Sequence, residues 1–186
     1  MKTRARGFTL IEAVIVIAIL GFLAALGMPQ MAAWLQGANV KSAAEFYTEG
    51  LRLARVEAVR RNAASRFRIN TPDANGWSVD WCQPTTTIPC NSGSGAWNNV
   101  NAQSGSAFGN VTLTVCPGGA ADVIYTAVGW VNMLGAAPVS ALRIDPPNVT
   151  AVKSAQVEIN LSGIVSNCDP SIANVADSRH CQVTCP

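Results

Sequence analysis

An apolar stretch near the N-terminus decides the fold. Residues 7–29 read GFTLIEAVIVIAILGFLAALGMP, and no charged residue occurs from position 13 to position 40. Roughly 20 consecutive apolar residues are enough for a helix to cross the hydrocarbon core of a bilayer. The sequence therefore predicts a transmembrane helix over residues 8–30, with Glu12 as a single carboxylate near its start.

A short basic segment precedes this stretch. Residues 1–7 read MKTRARG, and positive residues of this kind stay on the cytoplasmic side of a membrane, so the rest of the chain is expected to be periplasmic. An ordinary secretory signal peptide is the alternative. The apolar run is longer than the core of such a peptide, and a carboxylate like Glu12 costs about 2.5–3.5 kcal/mol within a membrane helix, which calls for a compensating partner.

The residues at this junction resemble the signal of a known family. The order Gly7-Phe8-Thr9-Leu10-Ile11-Glu12 is similar to the class III signal of type IV prepilins and type II secretion pseudopilins, and Gly21 and Pro29 extend the similarity. The resemblance implies that residues 1–7 are a leader, which a prepilin peptidase removes between Gly7 and Phe8 before Phe8 is N-methylated. It also implies a single-pass protein of the bacterial inner membrane that assembles with other pilins, with Glu12 neutralising the amine of a neighbouring subunit.

The second half of the predicted helix is amphipathic. Over residues 31–62, apolar and charged residues recur at helical spacing, which predicts one face packed against a domain. The apolar residues are Leu35, Val40, Ala43, Ala44, Phe46, Tyr47, Leu51, Ala54, Val56, Ala58 and Val59. Bends or local weakening are expected at Gly27, Pro29, Gly37 and Gly50.

An arginine-rich segment follows within the same helix. Residues 51–69 read LRLARVEAVRRNAASRFRI, which resembles the A-R-x-E-A-V-R-R-N stretch of the GspH/FimT family and implies a minor pilin or a type II secretion pseudopilin. One interpretation of the arginines is a solvated helix face on which Glu57 pairs with Arg60 or Arg61. The other is a docking surface for an acidic partner or for DNA.

The rest of the chain, residues 63–186, predicts a β-rich periplasmic domain. Apolar and polar residues alternate over 67–70, 77–81, 111–115, 141–145 and 157–161, with turn residues between them, as in antiparallel sheets. Residues 85–110 predict a long surface loop. The fold class is therefore α+β: a long N-terminal helix, membrane-spanning in its first half and amphipathic in its second, packed on a C-terminal antiparallel β-sheet domain.

All of the cysteines lie in this C-terminal region. An even number of them in a chain with an exported domain predicts disulfides: Cys82, Cys90, Cys116, Cys168, Cys181 and Cys185. A local bridge between Cys82 and Cys90 and a second bridge fastening the C-terminus are expected, but the full connectivity stays open. A metal site is the alternative, since Cys181, Cys185 and His180 lie close in sequence.

No catalytic motif is present in the sequence. His180 is the single histidine, no nucleophile elbow or phosphate-binding loop occurs, and we expect neither enzymatic activity nor a cofactor. We expect instead a subunit that acts in assembly or priming of a type IV pilus or a type II secretion pseudopilus. The alternative is DNA uptake, with DNA contacts at Arg179, Arg66 and Arg68, although the formal net charge of +2 gives no general preference for nucleic acid.

Overall fold

The described residues form one long helix and eight strands. A computed structural model describes residues 8–70, 76–83, 90, 96–105, 108, 111–133, 137–147 and 152–185. The chain divides into two compact units, Met1–Leu35 and Gln36–Pro186. The helix α1 (Leu10–Arg61) contributes residues to both units. It is helical through Gly27, Pro29, Gly37 and Gly50, so none of these residues ends it.

The first unit is helical from Leu10 onward, and its surface is apolar. Its large aliphatic and aromatic side chains are exposed along its whole described length; Phe8 at one end is 82% exposed and Leu35 at the other is 55% exposed. This part of α1 is long and apolar enough to cross a membrane, judged by length and composition. Side chains of this kind are stable only in contact with lipid or with other protein, because water disfavours exposed apolar surface.

The C-terminal end of α1 is closed by backbone hydrogen bonds. Asn62 adopts a left-handed conformation with φ of 49°. Its N–H donates to the carbonyl oxygen of Val59 at 3.2 Å, and the N–H of Ala63 donates to that of Ala58 at 3.1 Å. These two bonds form a Schellman motif, in which glycine or asparagine is preferred at the left-handed position. The motif ends the helix at Arg61 and leads the chain into the first strand.

The second unit is built around one buried stripe of α1. The stripe consists of residues at helical spacing, which are Val40, Ala43, Ala44, Tyr47, Leu51, Ala54 and Ala58. This confirms the predicted amphipathic helix. Four members of the predicted apolar set do not belong to the stripe: Leu35, Val56 and Val59 are exposed, and Phe46 is partly buried.

The strands form two antiparallel sheets of four. Their bounds are β1 Ser65–Ile69, β2 Gly76–Gln83, β3 Ala96–Ser104, β4 Thr112–Cys116, β5 Asp122–Tyr125, β6 Ala141–Asp145, β7 Ala155–Ile159 and β8 Val165–Cys168. The first sheet has the order β3-β2-β1-β5, and the second has the order β4-β6-β7-β8. Both sheets contribute to one core with α1, through side chains such as Phe67 and Trp77 from the first and Leu142 and Val157 from the second.

The predicted loop over residues 85–110 is wrong in its central part. Residues 96–104 form β3, which pairs with β2 along its whole length at the edge of the first sheet. The strand was missed because it has a run of asparagines in place of alternating apolar residues, and its side chains are mostly exposed. Backbone pairing to β2, and not burial, defines it. The short strands β5 and β8 were also missed.

Disulfides tie the C-terminal segment to the second sheet. The structure pairs Cys82 with Cys90, Cys116 with Cys185, and Cys168 with Cys181. Hydrogen bonds add to these ties: the side chain of Gln156 donates to Val183 O at 2.7 Å, and Val183 N–H donates to Glu158 at 2.7 Å. The C-terminal segment therefore covers polar side chains of β7 that would otherwise face solvent.

A glycine of α1 permits close packing against the first sheet. A Cβ atom at Gly50 would lie 2.7 Å from ring atoms of Phe67 and Trp77, whereas one at Gly37 would meet only Val152, at 3.8 Å. Overpacking costs about 1–3 kcal/mol, and replacing a helical glycine by alanine gains at most about 1 kcal/mol. Substitution by alanine is therefore expected to have opposite effects on stability at Gly50 and at Gly37.

We expect Gly50→Ala to lower the stability of the domain and Gly37→Ala to leave it unchanged or raise it. Thermal unfolding of the detergent-solubilised full chain, followed by near-ultraviolet circular dichroism, measures both variants against the parent. A Gly50→Ala protein that is at least as stable as Gly37→Ala would contradict the close packing described here.

Candidate functional site

The start of α1 places Glu12 in the first helical turn. The hydroxyl of Thr9 accepts a hydrogen bond from Glu12 N–H at 3.3 Å, and Thr9 O accepts from Ala13 N–H at 3.2 Å. Thr9 is thus the N-cap, and Glu12 stands three residues later, as in a capping box. An acidic side chain is favourable there because the helix N-terminus carries partial positive charge. The spacing T-x-x-E indicates this role of Thr9, which the apolar pattern of the helix does not reveal.

Two arginines of β1 are held in ion pairs across the first sheet. Arg66 lies directly opposite Asp80 of β2, and Arg68 lies directly opposite Asp122 of β5. Arg66 Nη2 is 2.7 Å from Asp80 Oδ2, and Arg68 Nε is 2.9 Å from Asp122 Oδ1. A hydrogen bond to Asp122 raises the pKa of Arg68. Residues 66 and 68 share a face of the strand because side chains alternate, so both find their partners on one side of the sheet.

The Arg66 pair is buried and further enclosed by β3. Arg66 is 6% exposed and Asp80 is 7% exposed. The guanidinium carbon of Arg66 lies 4.3 Å from the ring centroid of Trp97, and Asn99 donates to Asp80 Oδ1 at 3.0 Å. The arrangement satisfies both charges within the fold. Arg66, predicted as a DNA contact, is buried inside the domain and paired with Asp80.

The arginines at the end of α1 also have partners. Glu57 accepts from Arg60 at 2.8 Å and from Arg61 at 2.7 Å, which confirms the predicted helical pairing. Burial raises the pKa of Glu57, but the hydrogen bonds from the two arginines outweigh it and hold the pKa below its usual value. The stabilisation is therefore complete at neutral pH, and it is lost when acidification protonates Glu57. Arg61 also stacks over the ring of Trp81, 4.8 Å from its centroid.

The third arginine predicted to contact DNA lies in the C-terminal segment. Arg179 is exposed and forms two hydrogen bonds to Asp177, at 3.1 and 2.9 Å. These bonds hold the pKa of Asp177 at about 2. The neighbouring His180 contacts Ile172 O through Nδ1 at 2.6 Å. Arg179 is accessible, but the carboxylate of Asp177 neutralises it, and it is far in sequence from Arg66 and Arg68.

The cysteines are not arranged as metal ligands. Glu158, Cys168 and Cys181 offer ligand atoms within 4.8 Å of one another, but the two sulfurs are joined in a disulfide. Cys185, which the sequence had placed beside Cys181 and His180 as a candidate ligand set, is bonded to Cys116. Metal binding by cysteine requires thiolates, and a disulfide provides none.

Two known sequence families match this chain, one at its N-terminus and one over most of the rest. A Prokaryotic N-terminal methylation motif matches residues 2–28, the region that carries Gly7, Phe8 and Glu12. This motif, followed by a helix packed on an antiparallel β-domain, defines a type IV pilin-like protein. The family described as Type II transport protein GspH matches residues 43–163, which is more than half of the chain. The chain therefore belongs to the GspH family, in the GspH/FimT branch of type IV pilin-like proteins.

Solved structures support the fold. The type IV minor pilin FimU of Pseudomonas aeruginosa, in space group P21, matches with a TM-score of 0.53 and 18% identity over 73% of this chain and 92% of that one. The same protein in space group P65 matches with a TM-score of 0.51 and 19% identity, over 73% and 97% of the two chains. A search among curated proteins finds no match.

Substitution of the buried Arg66 tests whether this arginine stabilises the fold or is available to bind a ligand. We expect Arg66→Ala to destabilise the domain by about 3–5 kcal/mol, because it leaves Asp80 buried and unpaired. Arg179→Ala, at an exposed pair, is expected to leave the free energy of unfolding nearly unchanged. Denaturant unfolding of the full chain in detergent measures both.

A double variant, Arg66→Met with Asp80→Asn, provides the control. It removes both charges together, so we expect it to recover much of the stability that Arg66→Ala loses. Equal stability of Arg66→Ala and the parent would contradict the buried pair.

Proposed function

We propose that the chain is a minor pilin or pseudopilin that acts in assembly or priming of a type IV pilus or a type II secretion pseudopilus. Residues 1–7 would be its leader, 8–30 its single span of the bacterial inner membrane, 31–62 an amphipathic helix, and 63–186 a periplasmic β-rich domain. The observation that carries the proposal is an exposed apolar helix with Glu12 in its first turn, in a chain whose second unit is a disulfide-tied domain.

The apolar part of α1 must be covered by lipid before assembly and by other subunits after it. Burying one Leu, Ile, Val or Phe side chain contributes about 1.5–3 kcal/mol, and large apolar side chains of this unit are exposed throughout. The bilayer covers them before assembly, and the helices of other subunits cover them in a filament. When the helix moves from the bilayer into a filament, its apolar side chains stay buried. Apolar burial therefore does not fix where each subunit lies, and polar groups such as Glu12 would determine its position.

Glu12 would have such a positioning role. Cleavage after Gly7 by a prepilin peptidase frees an amine at Phe8, four residues before Glu12 in sequence. In an apolar filament core, a carboxylate and an amine from neighbouring subunits are stable only together, because removing one partner of a buried pair typically costs about 3–5 kcal/mol. The pair would then fix the register between a subunit and its neighbour.

The contacts of the charged residues support a filament role more than catalysis or DNA capture. Arg66 and Arg68 are in ion pairs within the first sheet, and Arg179 is paired with Asp177. Binding to duplex DNA would require such arginines to face phosphates and release counterions. We therefore infer that the domain is neither an enzyme nor the DNA receptor of an uptake system, and that its partners are other pilins, a prepilin peptidase and the inner membrane.

Processing gives the first test of this role. We expect the mature chain to begin at Phe8 with a methylated amine, and Gly7→Leu to leave the full-length precursor in the membrane, because it places a bulky side chain at the expected cleavage junction. Intact-mass analysis of the membrane fraction measures both. A mature chain that begins at any other residue would refute the assignment.

Assembly gives the second test. We expect Glu12→Val to be inserted, cleaved and folded like the parent, yet to be absent from sheared or sedimented filaments. Glu49→Val is the matched control, since it places the same substitution at an exposed position further along α1 and should assemble normally. Incorporation of Glu12→Val at the parental level would exclude the register role.

A further inference from the structure

An exposed apolar surface lies where two loops meet the C-terminal part of α1. Arg55 joins the three segments: its Nε donates to Gly129 O at 3.1 Å, and its Nη2 donates to Ser162 O at 3.3 Å. The loops also contact one another, because Val131 N–H donates to Leu161 O at 3.0 Å. We call this surface the Trp130 patch. Its members are Val56, Val59, Val128, Trp130, Leu161 and Ile164, each more than half exposed.

The patch is held in place before any partner binds. Thr126 N–H donates to Trp130 O at 2.8 Å, and Trp130 N–H donates to the hydroxyl of Thr126 at 3.3 Å. Gly129, between the exposed Val128 and Trp130, adopts φ of 82°, which fits a glycine and closes this turn. Tryptophan presented on a fixed loop is enriched among the residues that dominate protein–protein binding, since ordering it on binding costs little.

The charges at the patch are arginines. A depression of about 370 Å³ on the α1 side of the patch is lined by Arg55, Val56, Val59 and Arg60. Residues 126–131 and 160–164 contain no charged side chain. Glu57 is buried, and its single carboxylate is shared by Arg60 and Arg61. The edge of the patch formed by α1 is therefore cationic, and the part formed by the two loops is apolar.

This charge determines the kind of partner. A second copy of the chain in an isologous contact would place this cationic surface against an identical one, and such like-charge contacts oppose association. A partner surface that is apolar, with acidic side chains at its rim, would be complementary to the Trp130 patch. Such a partner would bury the aromatic and aliphatic side chains and place carboxylates against the arginines.

We propose that the Trp130 patch docks a second, different pilin-like subunit through an apolar surface with an acidic rim. The proposal rests on the filament role given above, and it names the partner of that role by its chemistry. It assigns a binding function to Trp130, to Arg55, which pairs with no carboxylate among the described residues, and to Arg60, which shares the carboxylate of Glu57 with Arg61.

Photo-cross-linking of the full chain in the cells that produce it tests the proposal. Benzoylphenylalanine replaces Trp130 in one strain and Val175 in another; Val175 is 80% exposed on the C-terminal segment and serves as the control. We expect position 130 to form an adduct with a different protein that carries an N-terminal methylation motif, through a peptide containing aspartate or glutamate beside apolar residues. Position 175 should give little of this adduct. If the position 130 variant does not accumulate, position 128 on the same loop replaces it.

Charge reversal supplies the second readout. Arg60→Glu should reduce the adduct about tenfold, as expected for like charges facing each other at an interface, whereas Lys41→Glu, an equal reversal elsewhere on α1, should not. An adduct with a second copy, an adduct with a protein lacking the motif, no adduct, or no effect of Arg60→Glu would each overturn the proposal. If the chain is found in filaments without the adduct, only the patch proposal fails. If the parent chain is absent from filaments, the proposed function fails.

Discussion

The close approach of α1 to the first sheet is the constraint on which the second unit depends. The helix presents small residues on its buried stripe, with Gly50 in contact distance of Phe67 and Trp77. The aromatic rings fill the space that these small residues leave, and the indole of Trp77 donates to Phe46 O of the helix at 3.0 Å. Because this stripe is fixed against the sheets, the opposite side of α1 is left uncovered. Val56 and Val59 are exposed and lie outside the stripe.

The sequence predicted those parts of the fold that depend on periodicity. The apolar helix, its amphipathic continuation and the strands around Phe67, Val79 and Leu142 all follow from spacing, because burial acts on one face of each element. The strand β3 could not be found in this way, since its position is set by backbone pairing to β2 and not by burial of its own side chains. Similarly, the disulfide partners of Cys116 and Cys168 depend on tertiary contacts, which sequence spacing does not contain.

The arginine-rich segment shows why a charge pattern alone leaves function open. Arg60, Arg66 and Arg68 are equivalent in composition, yet each is paired with a carboxylate supplied by a different element, namely α1, β2 and β5. Arg55 instead bonds to backbone carbonyls, and no carboxylate among the described residues pairs with it. Only the fold distinguishes these environments. Alternation along β1 could have indicated that Arg66 and Arg68 share a face, but it could not have supplied Asp80 and Asp122 as partners.

The bond between Cys116 and Cys185 has a mechanical consequence. It closes a covalent loop with a sequence separation of 69 residues, which contains β5, β6, β7 and β8. A pulling force that enters and leaves outside this loop cannot extend the chain within it, so about 230 Å of contour length stays unavailable to stretching. Under load, only the segment before Cys116 can lengthen. A subunit built in this way would yield by a limited and reversible extension, and its last four strands would keep their connection until the disulfide itself is reduced.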